Sequence, residues 1–295
     1  MSKVLDIVDG CDTKSLLVPV DDDAFATAYD AVDASLRAHL KTNIALHHSM
    51  MGMAPSWQSK HTERATAGFT MTEHCRPISW VTIVLAENFA SGPRLVAALM
   101  PALLAGITDV QLVRLVDYEG GESPWPHVLL AALELAGQEQ VASACVQDVV
   151  AHVQAHAQAH VQDHVQTKPT QGRIIFLGEN ATLKSQLSHA VARMPNVKFW
   201  AEGHAPRLYI DAAANFDMDL IRWAHPDGVV CNEFTEGLSA VYSDGPASPQ
   251  VSSKHALTLK KGCEALWVYT DLRREFFMQD AVSIGIFSHS EIDSE

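Results

Sequence analysis

The chain has 295 residues, 47% of them hydrophobic, and sets 21 Lys and Arg against 35 Asp and Glu, a formal net charge of −14. That length allows about two domains and a sizeable core, and a surface so acidic excludes nucleic acid and anionic membrane surfaces as general partners. No apolar run reaches the roughly 18 residues of a bilayer span, the acidic start MSKVLDIVDGCDTK lacks the layout of a secretory leader, and five scattered cysteines without a CxxC pair fit a reduced, cytoplasmic protein better than a disulfide scaffold or a structural zinc site.

Asp21-Asp22-Asp23 offer capping oxygens at a helix start, and Phe25, Tyr29, Val32, Leu36, Leu40 and Ile44 then recur at three- and four-residue spacing. One amphipathic helix ending near Met51-Gly52 is expected, followed by a polar connector from Pro55 to Phe69. Trp80 to Leu85 (WVTIVL) reads as a buried strand. SGPRLVAALMPALLAG reads as a helix capped by Ser91 and stopped by Gly106. Val110–Val116 is the next strand, Trp125–Gly137 the next helix, and Gln140–Ala144 a short strand. Arg173–Gly178 and Thr182–Arg193 repeat the strand-helix unit, and Val197–Trp200 and Arg207–Ile210 follow as short strands. EALWVYT and VSIGIF close the chain as strand-like runs. This order predicts an α/β fold: a Rossmann-like, mostly parallel sheet with helices on both faces, and a truncated second α/β domain. The expected division is an N-terminal helical segment (1–55), a nucleotide-binding-type domain (56–206) and a shortened catalytic-type domain (207–295).

Residues 151–166 read AHVQAHAQAHVQDHVQ, placing His152, His156, His160 and His164 four apart. On a helix, neighbouring pairs of these imidazoles share a face and have the spacing to chelate a transition metal. No cysteine or carboxylate completes a ligand set nearby, so the simpler expectation is a surface helix whose Val149, Val153, Ala157, Val161 and Val165 stripe lies on the protein, with no metal.

Open parallel sheets bind ligands at the carboxyl ends of their strands. Those ends deliver AENFASGP, FLGENAT, AEGHAP and GVVCNE. Taken in order they resemble the aldehyde dehydrogenase superfamily, with its gamma-glutamyl phosphate reductases and the more distant histidinol dehydrogenase. ENF (Glu87–Phe89) before a PALLAG-ending helix is similar to the family's WNF followed by PAL-AG. FLGE (Phe176–Glu179) resembles the FTGS turn. EGHAPRLYIDAAANFDMDL resembles the stretch leading to the nucleophile, and GVVCN sits where the family places its cysteine. RPISWVTIV and AGITDVQLVRLV are closer in wording to histidinol dehydrogenase, and SIGIFS is similar to the ending of the phosphate reductases.

The resemblance implies a small-molecule substrate, a small aldehyde or activated acyl group, and NAD or NADP as cofactor. It implies Cys231 as nucleophile, Asn88 as oxyanion donor and Glu202 as general base, the last only with a two-residue slip that otherwise puts Trp200 at the base position. His204 is a second base candidate. On the cofactor side it points to Gly178, Glu179 and Arg114. Only 64 residues follow Cys231, and the family's EIFGP-type segment is not among them. A catalytically degenerate member acting in binding or assembly is therefore the alternative. The apolar C-terminal strands point to pairing with a second subunit as a homodimer.

Overall fold

The computed structural model describes residues 17–52, 58–64, 69–116, 124–162, 171–245 and 257–286. In chain order these form β1 (Val18–Pro19), α1 (Asp22–Ala31), α2 (Ala34–Met51), β2 (Gln58–Arg64), β3 (Phe69–Pro77), β4 (Trp80–Leu85), α3 (Gly92–Leu104), β5 (Asp109–Leu115), α4 (His127–Ala136) and β6 (Val141–Ala144). There follow α5 (Val146–Gln162), β7 (Gly172–Leu177), α6 (Ala181–Val191), β8 (Val197–Ala201), β9 (Arg207–Ile210), α7 (Met218–Ala224), β10 (Val229–Cys231), β11 (Ala240–Tyr242), β12 (Leu257–Leu259), a 3₁₀ turn (Arg274–Phe277) and β13 (Met278–Ile286).

Three sheets result. The first runs β1-β6-β5-β4-β7-β8, parallel except for β1. Its parallel strands lie third, second, first, fourth, fifth in chain order, so the direction of winding reverses between β4 and β7. The second sheet, β10-β9-β11-β12, is wholly parallel, and the third, β13-β3-β2, is antiparallel. The expected α/β fold with a mostly parallel sheet is thus observed. Both faces of the central strand are covered: Val81, Ile83 and Leu85 pack with α3 and α4, while Trp80 and Val84 pack with Val149 and Val153 of α5 and Leu183 and Leu187 of α6. A strand buried on both faces reads as a continuous apolar run, which is why WVTIVL stood out.

Elsewhere the structure departs from the periodicity. The single N-terminal helix is two, because Val32 is extended and Asp33 caps a new start, its carboxylate accepting from the Ser35 N–H at 2.8 Å and the Ser35 hydroxyl at 2.7 Å. The polar connector contains β2, whose register comes from β3 and not from any alternation of its own. EALWVYT is irregular. Ala265, Trp267 and Tyr269 are buried at alternate positions as in a strand, but α2 takes the backbone carbonyls: Asn43 Nδ2 donates to Ala265 O at 2.7 Å, and His47 Nε2 lies 3.1 Å from Trp267 O. One core cluster joins Leu95, Leu99 and Leu129 to Leu208, Tyr242, Trp267 and Phe277. These residues of the C-terminal part therefore share one interior with the first sheet.

The repeat helix lies as its valine stripe predicts, with Val149 and Val153 fully buried. His152 and His156 also turn inward. His152 Nε2 is 2.8 Å from Gln111 Oε1, and His156 sits 3.3 Å from the Asp109 carboxylate with its ring edge-on to Trp80. Residues 163–166 of the repeat lie outside the described residues. Among the described residues no group of three His, Cys, Asp or Glu side chains could hold a metal ion, and no helix is long and apolar enough to cross a membrane.

Candidate functional site

The point where the winding reverses, at the carboxyl ends of β4 and β7, is where such sheets open a crevice. β4 is followed by Ala86-Glu87-Asn88-Phe89, and β7 by Gly178, which takes φ +88°. A Cβ on Gly178 would stand 2.9 Å from the Ala86 Cβ and 3.3 Å from Asn88 Oδ1. Glycine is required there by the protein's own atoms as well as by the left-handed backbone.

A buried ion-pair network fills the floor of this region. Ser91 caps α3 by accepting from the Arg94 N–H at 3.2 Å, which sets Arg94 in the first turn with its side chain directed inward over the Phe89 ring. Its guanidinium, wholly inaccessible, forks onto Glu202: Nε donates to Oε1 at 2.9 Å and Nη2 to Oε2, while Nη1 pairs with Asp227. Glu202 follows β8 and is fixed by its own N–H, which donates to Phe176 O at 2.9 Å. The Tyr269 hydroxyl donates to Glu202 Oε1 at 2.8 Å, the Gly178 N–H to Oε2 at 3.2 Å, and Lys184 Nζ to the Glu202 backbone oxygen at 3.1 Å. The Glu202 carboxylate thus receives four donors, one for each of its lone-pair positions. Burial opposes the charge on Arg94, but the oxygens of Tyr269, Glu202 and Asp227 outweigh it and raise its pKa. Burial, with Glu202 second, holds the Tyr269 phenol well above its ordinary range.

Beside this network, His225 is held neutral: burial first, then Arg94, lowers its pKa to about 3. Its Nε2 meets the Tyr242 hydroxyl at 3.0 Å and its ring stands edge-on to Trp267, 4.6 Å between centroids.

The expected site residues fall into two groups. Asn88, Gly178, Glu179, Glu202 and Arg114 gather at the carboxyl ends of the first sheet. Asn88 is exposed on the turn after β4, next to Gly178. Glu179 is exposed, and its carboxylate accepts from the Ala205 N–H at 2.9 Å. Arg114 is buried at the end of β5, where Nη2 donates to Glu87 O at 3.0 Å, so it braces the turn that carries Asn88. Burial lowers its pKa, with Glu87 opposing. Cys231 stands apart on β10, the edge of the second sheet, its thiol half-buried and 3.9 Å from the Val229 carbonyl. No hydrogen bond among the described residues joins it to Asn88 or Glu202.

Arg94, Asp227 and Tyr269 escaped the sequence reading. Arg94 left a trace, as the one charged residue in the apolar helix GPRLVAALMPALL. Asp227 and Tyr269 left none, because only the packing of the second sheet brings them to it.

Two cavities open here. A groove of about 710 Å³ runs along α6, lined by Gly178, Glu179, Lys184, Ser185, Ser188 and His204 among others. A cleft of about 570 Å³ separates the two parallel sheets, lined in part by Glu202, His204, Arg207, Ser239, Trp267 and Tyr269. Gly203 and His204 belong to both, and Cys231 lines neither.

No family model and no curated protein matches the sequence. Among solved structures, the fold is similar to that of histidinol dehydrogenase from Elizabethkingia anophelis, with TM-score 0.60 and 12% identity over 92% of this chain and 77% of that one. Succinate-semialdehyde dehydrogenase from Burkholderia pseudomallei matches with TM-score 0.36 and 16% identity over 70% of this chain and 37% of that one. An NAD-dependent aldehyde dehydrogenase from Sinorhizobium meliloti matches with TM-score 0.34 and 13% identity over 77% and 51%. This chain spans about three quarters of the first and about half or less of the other two. The likeness to the first is one of fold.

Proposed function

We propose that the chain is a nicotinamide-nucleotide-dependent protein of the oxidoreductase kind, acting on a small molecule in the cleft between its two parallel sheets. The observation that carries this reading is the meeting of the α6 groove and the intersheet cleft at Gly203 and His204, at the carboxyl ends of β7 and β8. A groove and a cleft that share a wall allow a cofactor in one to face a substrate in the other.

The groove residues suit a nucleotide. Lys184 supplies a cation for a phosphate, the Ser185 and Ser188 hydroxyls supply donors, and the Glu179 carboxylate accepts from a ribose hydroxyl. The volume lies in the range of small-molecule sites. Such a nucleotide, when bound, supplies hydride chemistry. His204 lines both cavities and is placed to move a proton at the substrate, and Arg207 offers a cation at the cleft. Glu202, with its lone pairs filled, positions the crevice through Arg94 and Gly178. The finer reading takes the substrate as a small aldehyde or activated acyl group attacked by Cys231, with Asn88 steadying the oxyanion. It rests on the order of the sequence motifs and not on the cavities, which neither Cys231 nor Asn88 lines.

A second reading, a member of the fold that binds without turnover, is favoured by one observation: the carboxylate expected to act as base is sealed by four donors. Titration with NADH and NADPH, followed by cofactor fluorescence, tests the first reading. Saturable binding below millimolar cofactor, weakened at least tenfold by Lys184→Ala, is expected. Absence of binding at millimolar cofactor overturns the oxidoreductase reading and leaves the second. Alkylation of Cys231 at the rate of an unactivated thiol in the folded protein would remove the cysteine step alone.

A further inference from the structure

We infer that the cavity at the amino end of the first sheet is a second ligand site, built for a small aromatic carboxylate. It is separate from the cleft and groove of the proposed function. Its volume is about 610 Å³, and it lies between the C-terminal half of α5 and the C-terminal end of α6. The strands β4, β7 and β8 run from this cavity to the turns that carry Asn88, Gly178 and Glu202 at their other ends.

The floor follows from the strand register. Trp80, Gly172 and Val197 are neighbours across β4, β7 and β8, so their side-chain positions share one face. Gly172 has no side chain, and the Trp80 indole takes its place: a Cβ there would stand 2.1 Å from Cε2 and 2.2 Å from Cζ2. The indole is braced from the far side by His156, edge-on with 4.9 Å between centroids.

The space itself is written into the repeat. Its units read AHVQ, AHAQ, AHVQ and DHVQ, so Ala157 stands where the other three have valine. Val149 and Val153 of α5, with Leu183 and Leu187 of α6, close the two helices onto the sheet. One turn further along each helix, Ala157 and Ala190 replace these larger side chains and line the cavity. The same period sets Gln154 and Gln158 in its wall.

The polar groups select the ligand. Backbone acceptors at the rim are already taken: Ala190 O by the Arg193 N–H at 3.2 Å, Val191 O by Met194 at 2.8 Å, Met194 O by Val197 at 3.1 Å and Asn196 O by Gly172 at 3.1 Å. What faces the space is the Gln154, Gln158 and Asn196 amides and the Arg193 guanidinium, the one charged lining group among the described residues. Arg193 has no ion-pair partner among those residues. A guanidinium only donates, and it forks onto a carboxylate. Asp109, at the start of the neighbouring strand, is turned to His156 at 3.3 Å and does not line the cavity. The net charge of −14 repels an anion from afar, but beyond roughly 10 Å that field is screened at ordinary salt. Trp80, Met194, Pro195 and Val197 offer the ring and sulfur contacts that suit an aromatic body.

The test uses the full chain and naphthalene-1-acetate, followed by titration calorimetry. Saturable binding of one molecule per chain below millimolar concentration is expected. Naphthalene-1-acetamide, the same body without the charge, should bind about tenfold more weakly, and Arg193→Gln should remove that preference. Ala157→Leu and, independently, Ala190→Leu fill the cavity and should weaken both compounds by about tenfold or more. Far-UV circular dichroism checks that each variant is folded. Arg207→Gln, in the intersheet cleft, should leave the affinity unchanged. Absence of saturable binding by the wild type overturns the inference. So does equal affinity for acid and amide, a folded Arg193 or cavity variant that binds as the wild type does, or loss of binding in Arg207→Gln, which would place the anion in the cleft.

Discussion

Glu202 is the residue that the family resemblance implies as general base, given a two-residue slip, and the structure gives its place a mechanical meaning. Its carboxylate is the acceptor through which α3, the end of β7 and the Tyr269 segment are tied together. Removing one partner of a buried pair leaves the other charge uncompensated, so Glu202→Ala is expected to lower stability by about 3–5 kcal/mol in urea unfolding. Tyr269→Phe, which deletes one donor to a charged group, should lower it by about 1.5–3 kcal/mol. If Glu202→Ala unfolds like the wild type, the network is not a staple. His225 makes a pH prediction. Its ordinary value of 6.5 lies above its folded value of about 3, so below pH 6.5 the unfolded chain takes up a proton that the folded one refuses. The contribution is fully present above pH 6.5 and is lost as the pH falls toward about 3, at up to about 1.4 kcal/mol per pH unit. Burial lowers the pKa of His47 as well, adding a slope of the same sign. Urea midpoints measured from about pH 7 down to about pH 4.5 should therefore fall less steeply for His225→Gln than for the wild type.

Helix α5 shows how much of an element a repeat can encode. The four-residue period fixes which side chains share a face, and the valine face is the buried one. The period does not say that His152 and His156 flank that face closely enough to reach Gln111 and Asp109 on β5. That follows from how the helix is rolled against the sheet. Val153→Ala is expected to destabilise by about 2 kcal/mol, whereas substitution of Ala155 or Ala159 by Ser should stay within about 0.5 kcal/mol. Thermal unfolding of the three variants checks this, and equal effects would mean that the helix is not docked on its valine stripe. The strand-like segment EALWVYT carries the converse lesson. Ala265, Trp267 and Tyr269 are buried at alternate positions, yet the strand expected over EALWVYT does not form, because side chains of α2 take the carbonyls that a neighbouring strand would have used.

At the scale of the molecule, the second sheet shares a core cluster with the first, and β13 completes the sheet that β3 belongs to. β3 takes its partner β13 from two hundred residues further along the chain, and the core around Leu95 and Leu129 is completed by Leu208, Tyr242, Trp267 and Phe277. A fragment ending at residue 206 is accordingly expected to lack a cooperative unfolding transition, while the whole chain unfolds in one. Denaturation of both, monitored by tryptophan fluorescence, decides; a cooperative fragment would show that the first sheet is self-sufficient.

The amino-acid sequence by itself determined the parallel sheet, its strand–helix alternation and the carboxyl-end turns. These depend on local information: a doubly buried strand has to be apolar throughout, and a strand-to-helix turn needs its glycine and its cap. The residues that the family resemblance singles out, Asn88, Gly178, Glu179, Glu202 and Arg114, lie at the carboxyl end of that sheet. Only the tertiary structure decided what those residues touch. Arg94 meets Glu202, Asp227 and Tyr269 across separations of about a hundred residues or more, and the strand carrying Cys231 lies at the outer edge of a different sheet. Partners so distant leave no periodicity or spacing to read, because the packing of one sheet against another, rather than the order along the chain, brings them within hydrogen-bonding reach.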